Sequence, residues 1–236
     1  MVVTLIGTGN VGTNLENALC KAGHKVVWLR GRDFKVEDII GEVVIVSVKD
    51  DALPMLAMKL ENVKSLVVHT AGSIHMNVLP CSRRGVMYPM QTFSKNRIVN
   101  FKSVPLFLET EKAEDMDVLE DLSRTISDSI YHTDSEGRRM LHLAAVFASN
   151  FTNHCYTLSA EILKAKGIDF EVMLPLIDET ARKVHQLPPN EAQTGPAVRG
   201  DMNVVTKQSL MLSGTAKEVY DLMSRSIQER RDYDKL

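Results

Sequence analysis

Three glycines, Gly7, Gly9 and Gly12, stand directly behind the apolar run Val2-Val3-Thr4-Leu5-Ile6 and just before a helical stretch over 14–22. In that setting each glycine has a mechanical task. Gly7 permits a tight turn, Gly9 lets a diphosphate come close to the backbone, and Gly12 lets helix and strand pack closely. The N–H groups and positive dipole end of the helix then face the phosphates. Gly7, Thr8, Gly9, Asn10, Val11 and Gly12 thus form a candidate dinucleotide-binding loop. Glycine turns are common in α/β chains, and it is the place of this one between a strand and a helix that makes it specific.

Arg30 follows the second apolar run, Lys25 to Leu29, with Gly31 and Arg32 behind it. An acid near the end of that strand would receive the ribose 2′-hydroxyl of NAD, whereas an arginine suits the 2′-phosphate of NADP. Two guanidinium groups flanking a glycine can grip a phosphate through paired charge-assisted bonds. A solvated basic loop would read the same way, and the nearby Asp33 keeps NAD open. Two further strand ends belong to the candidate cofactor set, because ligands lie at the carboxyl edge of a parallel sheet. Ser47, Val48 and Lys49 end the run from Val43, and His69, Thr70 and Ala71 end the run from Ser65, leading into Gly72 and Ser73. A catalytic His69 is conceivable, but a strand-end histidine bonded to backbone is the commoner arrangement.

Candidate chemistry beyond the cofactor lies on a long helical segment. At about 100° per residue, His142, Ser149, Asn153 and Tyr156 share a stripe, and Asn150 falls about 80° to one side of His142. Polar groups on an apolar helix need partners, since an unpaired buried one costs about 1–3 kcal/mol. The partners are either a substrate and a nicotinamide amide or the backbone of neighbouring helices. On the first reading His142 donates a proton, and Asn150 orients substrate or carboxamide. Arg199, between Gly195 and Gly200, either holds an acidic substrate group bidentately or pairs with Asp201.

The elements that must position these residues follow from the patterning. Apolar strands over 2–6, 25–29, 43–48, 65–69 and 104–108 alternate with helical stretches, which predicts a doubly wound parallel sheet. Pro89 within 85–93 predicts an edge strand or a strand that runs into a loop there. Asp50 or Asp51 is expected to cap a helix over 52–60. The stretch 109–128, with Met116, Leu119, Leu122 and Ile126 at helical spacing, reads as a surface helix. From Thr133-x-x-Glu136, read as a capping box, the chain is expected to run as one helix of about 30 residues to Gly167, some 45 Å long. Its middle, Leu141 to Phe151, is apolar nearly all round and must be covered on several sides. Helices capped by Asp169 and Asp201 and a last one over 213–231 complete an all-helical domain. The expected division is a dinucleotide-binding domain over 1–130 and a helical domain over 131–236. The reactive centre is expected between them, bounded by His69–Ser73, Met90–Gln91, His142 and Asn150.

The 236 residues carry a formal net charge of −2, which offers no footprint for nucleic acid or an anionic membrane. No apolar run reaches the roughly 20 residues a membrane span needs. Cys20, Cys81 and Cys155 are far apart, a pattern of reduced thiols rather than of a disulfide framework or zinc site. A cytoplasmic protein acting on a small molecule is expected.

The order of GTGNVG, VKDDAL at 48–53, HTAGS at 69–73, YPMQTF at 88–93, HLAAVFASNF at 142–151 and TGPAVRGD at 194–201 resembles one branch of the pyrroline-5-carboxylate reductase and 6-phosphogluconate dehydrogenase superfamily. That branch holds NADP oxidoreductases whose helical C-terminal domain has no known function, and whose first domain is similar to deazaflavin-dependent NADP reductases. The resemblance implies a Rossmann-type first domain, a C-terminal domain like that of 6-phosphogluconate dehydrogenase, NADP(H) as cofactor and a homodimer built on the helices. The branch usually has histidine at the positions of Tyr88 and Gln208. The Lys and Asn pair of related hydroxyacid dehydrogenases is half present, with Asn150 facing Val146 at the partner position. Two function classes stay open: hydride transfer to or from a small imine, ketone or alcohol, and non-catalytic NADP binding by a regulatory dimer.

Overall fold

A computed structural model describes residues 1–30 and 34–233. Among these, seven strands form one sheet: β1 (Val2–Ile6), β2 (Lys25–Leu29), β3 (Val43–Val46), β4 (Leu66–His69), β5 (Arg84–Pro89), β6 (Leu106–Thr110) and β7 (Ile130–His132). Their order is β2-β1-β3-β4-β5-β6-β7, and every pair is parallel except β5 with β6. Strands buried on both faces read as unbroken apolar runs. Alternate residues of those runs serve opposite layers. Helices α1 (Asn10–Lys21), α2 (Leu53–Met58) and α3 (Ala113–Ile126) supply the layers. Val3, Leu5, Val43, Ile45, Leu66 and Val68 pack with Leu15 and Leu19 of α1 and Leu119 and Leu122 of α3. Ile6, Val44, Val46 and Val67 pack with Leu53, Leu56 and Ala57 of α2 on the other side. This is the doubly wound sheet expected from the strand pattern.

Several local expectations need correction. The strand over 84–89 is interior rather than an edge, because antiparallel β6 pairs with its far side, and it runs into a loop after Pro89, the second of the two expectations. Pro89 is tolerated there as its last residue. Glu109 and Thr110 belong to β6 rather than to a helix, and β7 beyond α3 adds an edge strand that has no mark in the sequence beyond Ile130-Tyr131-His132. Neither Asp50 nor Asp51 caps the helix at 53; Asp50 instead accepts a hydrogen bond from Ser73 Oγ and ties the ends of β3 and β4 together.

The long helix is broken into three pieces. They are α4 (Ser135–Ala145), a π-helical turn over Val146–Phe151, and α5 (Thr152–Lys164). Its N-cap is Asp134, whose carboxylate accepts from Gly137 N at 2.7 Å, rather than Thr133. By packing, the described chain divides into Met1–Phe151 and a second unit that starts at Thr152, so α4 and the π turn group with the sheet. A buried ion pair accounts for that grouping: Arg138 of α4, itself fully buried, pairs with Glu109 of β6 and donates to the Ile74 carbonyl.

The second unit contains α5, α6 (Leu174–Lys183), α7 (Pro189–Ala192), α8 (Pro196–Arg199), α9 (Met202–Ser209) and α10 (Gly214–Tyr233). Asp169 and Asp201 cap as expected, accepting from Glu171 N at 2.9 Å and Val204 N at 3.4 Å. Pro175 opens the regular part of α6. Gly195 and Gly200 bracket α8 with φ of +109° and +77°, conformations an L side chain rarely adopts.

Candidate functional site

β1 feeds the glycine turn and α1, and its two sheet neighbours, β2 and β3, lie on opposite sides of it. That reversal of direction is the topological switch point, where such sheets bind ligands. The three glycines differ in what surrounds them. A Cβ on Gly7, whose φ is +114°, would stand 2.0 Å from the Ser47 carbonyl oxygen. One on Gly12 would stand 3.1 Å from the Gly7 carbonyl oxygen, so the helix could not come as close to the strand. At Gly9 the nearest atom to such a Cβ is 4.0 Å away, so the backbone there borders open space. No side chain caps α1. An uncapped helix start behind an unobstructed glycine suits a diphosphate.

A cavity of about 700 Å³ opens on this turn. Gly7, Thr8, Gly9, Ser47, Val48 and Lys49, all expected at the cofactor, line it. So do Lys59 and Lys95, which the sequence reading missed. Lys95 reaches it because the β5–β6 connection folds back over α1. Asn10 Nδ2 donates to the Phe93 carbonyl at 3.0 Å, and Asn14 Nδ2 donates to that of Ser94 at 3.1 Å. Asn14 Oδ1 accepts from Val99 N at 3.0 Å. Asn10 therefore spends its side chain on the connection and has its backbone N–H left for the turn. The only sequence signal of this clasp is the pair of asparagines one helical turn apart; their partners lie about 80 residues on. Lys59 stands over the Phe34 ring.

At the end of β2, Trp28 Nε1 donates to the Gly7 carbonyl. The Arg30 guanidinium stacks on that indole at 5.0 Å from the ring centroid. The stack restrains the guanidinium beside the glycine turn, so less freedom is lost when it binds an anion. Arg32 and Asp33 lie outside the described residues.

The end of β4 is closed. His69 is fully buried, its Nδ1 accepts from Ala71 N at 3.2 Å, and burial above all, with the Arg138 charge adding to it, pushes it down to about 3. It is thus the backbone-bonded, neutral histidine of the commoner arrangement. Thr70 and Ala71 are buried beside it, with Thr70 N bonded to the Val46 carbonyl at 3.1 Å.

His142 lies against the next residue of that segment. A Cβ on Gly72 would fall 2.6 Å from His142 Nδ1. The same nitrogen is 3.0 Å from the Tyr88 hydroxyl at the end of β5, with the two rings edge to face. Burial pushes the Tyr88 hydroxyl up, so it stays protonated. One turn before His142, the Arg138–Glu109 pair and Ser135 Oγ, which donates to Glu109 at 2.8 Å and accepts from Met76 N at 3.0 Å, fasten α4 to the sheet.

The π turn over Val146–Phe151 follows α4 and contains Ser149 and Asn150, so the even spacing of about 100° expected of one helix does not hold there. A π turn takes about 4.4 residues instead of 3.6. His142 and Ser149 are half-buried. Asn150 is exposed. Asn153 and Tyr156 belong to the second unit, as does Arg199, which is exposed at the end of α8. Among the described residues no ion pair joins Arg199 to Asp201, whose carboxylate caps α9.

A Rossmann-type sheet with an open glycine turn at its switch point and a basic groove beside it defines a dinucleotide-binding protein by fold and site. Residues 104–227 match a family described as a domain of unknown function (DUF2520). The whole chain is similar to a protein from Bacteroides fragilis described as a "putative NADP oxidoreductase": 44% identity, 97% of this chain and 98% of that one covered, TM-score 0.88. The chain belongs to this family. A Thermotoga maritima protein shares the fold at 21% identity over 99% of this chain and 100% of that one, with a TM-score of 0.73. So does the Plasmodium falciparum pyrroline carboxylate reductase, whose structure holds NADP, at 12% identity over 97% and 100% and a TM-score of 0.61. Comparison with curated proteins finds no match.

Proposed function

We propose that the chain is an NADP(H)-dependent oxidoreductase acting on a small imine, ketone or alcohol. The observation that carries the proposal is the open, uncapped glycine turn with Arg30 stacked on Trp28 beside it. The groups present suit NADP: backbone N–H groups of α1 for the diphosphate, Lys95 lining the same cavity, and Arg30 for the 2′-phosphate. When bound, the cofactor supplies a hydride. His142, held beside Gly72 and Tyr88, supplies the proton that a reduced carbonyl or imine needs at oxygen or nitrogen. Asn150, in the π turn that follows α4, is the candidate for orienting substrate or carboxamide. NADPH consumption with pyrroline and with cyclohexanone tests this. The expected result is turnover of at least one of them that His142→Asn abolishes; tight NADPH binding without turnover of either would favour a non-catalytic regulator.

The working form is a homodimer. Among the described residues of the second unit only Ala197, Val205, Ser209 and Ser224 are buried. Helices α5 and α6 bury none, while Val172, Leu176, Leu210, Met211 and Leu222 are more than half exposed. A helical unit without a core of its own needs a partner, and two-fold association of identical chains is the commonest supply. Light scattering at micromolar concentration should give twice the chain mass, and a Val172→Asp/Leu176→Asp variant should shift toward monomer. A monomeric native chain would sink the idea.

A further inference from the structure

We infer that Tyr88 is the positioning residue for the proton donor, holding the His142 ring by Nδ1 so that Nε2 is the nitrogen that faces substrate. The inference rests on the proposed role of His142, and it starts from three contacts. The Tyr88 hydroxyl is 3.0 Å from Nδ1. The rings meet edge to face at 5.9 Å between centroids, so the phenol also limits tilting of the imidazole. Gly72 leaves just enough room for the ring, since a Cβ there would lie 2.6, 2.7 and 3.0 Å from Nδ1, Cγ and Cβ of His142.

The backbone frame behind these contacts is stiff. Tyr88 sits in interior strand β5, paired with Phe107 of β6. Arg138, one turn before His142, is buried against Glu109 of the same β6. Phenol and imidazole are therefore both mounted on β6, one through the sheet and the other through the ion pair. Gly72 is not among the glycines of positive φ, so its lack of a side chain is needed for the ring beside it rather than for its own backbone.

A phenol differs from the carboxylate that often orients a catalytic histidine. It is neutral, and it both accepts and donates a hydrogen bond. In the imidazolium, Nδ1–H donates to the Tyr88 oxygen and Nε2–H is left for the substrate. In the step itself the substrate carbon takes the hydride, and the electron pair of the C=O or C=N bond takes the Nε2 proton. His142 is left neutral, with its remaining proton on Nδ1 and held to Tyr88, and Nε2 regains a proton from solvent. No charge builds up on Tyr88 at any stage. An ionised partner would instead hold the imidazolium proton more tightly and slow its transfer.

The test uses the full-length chain with NADPH and whichever of pyrroline or cyclohexanone it reduces. Tyr88→Phe keeps the ring packing and removes only the oxygen. It should lower kcat about tenfold while KM and NADPH affinity stay within about twofold, the pattern of a group that acts on orientation at the transition state. Tyr88→His, which again offers an acceptor to Nδ1–H, should recover most of the loss. Gly72→Ala attacks the same pair from the other side and should mimic Tyr88→Phe. The second readout needs no turnover: in nitrogen-15 histidine spectra of the acid form, the Nδ1–H of His142 should give a sharp signal protected from solvent exchange, lost in Tyr88→Phe. Full activity of Tyr88→Phe in an active enzyme, or the same protected signal in that variant, overturns the inference. If the native chain reduces neither probe, the proposed function fails, and the spectra still decide the role of Tyr88.

Discussion

Replacing Arg30 with alanine should weaken NADPH binding about 10- to 100-fold and leave NADH binding nearly unchanged, since a lost hydrogen bond to a charged group costs about 1.5–3 kcal/mol. The expectation follows from where the guanidinium is held. It sits one residue past β2, at the position from which this class of sheet reads the ribose 2′ substituent. It is stacked on an indole that is itself hydrogen-bonded to the Gly7 carbonyl. Trp28 is the single tryptophan of the chain, so its fluorescence reports cofactor binding at this spot without a label. NADH serves as the internal control, because it lacks only the phosphate that Arg30 would touch. The double variant Arg30→Ala/Arg32→Ala extends the test to the second arginine. Equal affinity of the native chain for the two cofactors, or unchanged NADPH binding in the double variant, would remove the basis for the NADP assignment.

The second large effect is acid sensitivity centred on His69. In the unfolded chain this imidazole takes a proton near its ordinary 6.5; in the folded chain burial, and the Arg138 charge to a lesser degree, holds it at about 3. Between those values the unfolded state binds the extra proton and the folded state does not, so stability falls as pH falls through that window. Above about 6.5 the contribution is complete. Across the whole window the loss amounts to roughly 4–5 kcal/mol, and about half of it is reached by pH near 4.5. Urea unfolding at pH 7 and at pH 4.5, in the native chain and in His69→Asn, isolates it. Asparagine can still accept from Ala71 N but does not titrate. Its absolute stability will differ from native, so the readout is the change with pH, which should be shallower by about 2–3 kcal/mol. The same pH dependence in both proteins would mean that His69 is no more costly to protonate folded than unfolded.

Both effects depend on features of unequal visibility in the sequence. The glycine turn was fully legible, because its three spacings answer to local demands: a positive φ at Gly7, an unobstructed backbone at Gly9 and a close helix at Gly12. The strands of the parallel sheet were legible for a similar reason, as a strand buried on both faces has to be apolar at every position. Arg30 could be read from its place after the second strand, while the indole that holds its guanidinium could not, although the two are neighbours in sequence. The asparagines of α1 were visible only as polar residues on a helix, and Lys95 as one charge in a connection.

The sequence by itself determined the parallel strands from β1 to β4, the binding turn and the class of ligand, since these follow from periodicity, chain direction and the chemistry of neighbouring residues. Tertiary structure decided what those elements meet. Strand pairing placed β5 in the interior in spite of Pro89, and with it set Tyr88 beside His142, 54 residues away. Backbone winding broke the expected single helix with a π turn over Val146–Phe151, a change that side-chain periodicity does not record. Packing sealed His69 and Arg138, whose polar side chains alone would argue for the surface. Pairing, winding and burial are long-range choices, made by the free energy of the whole unit rather than by any one stretch of chain.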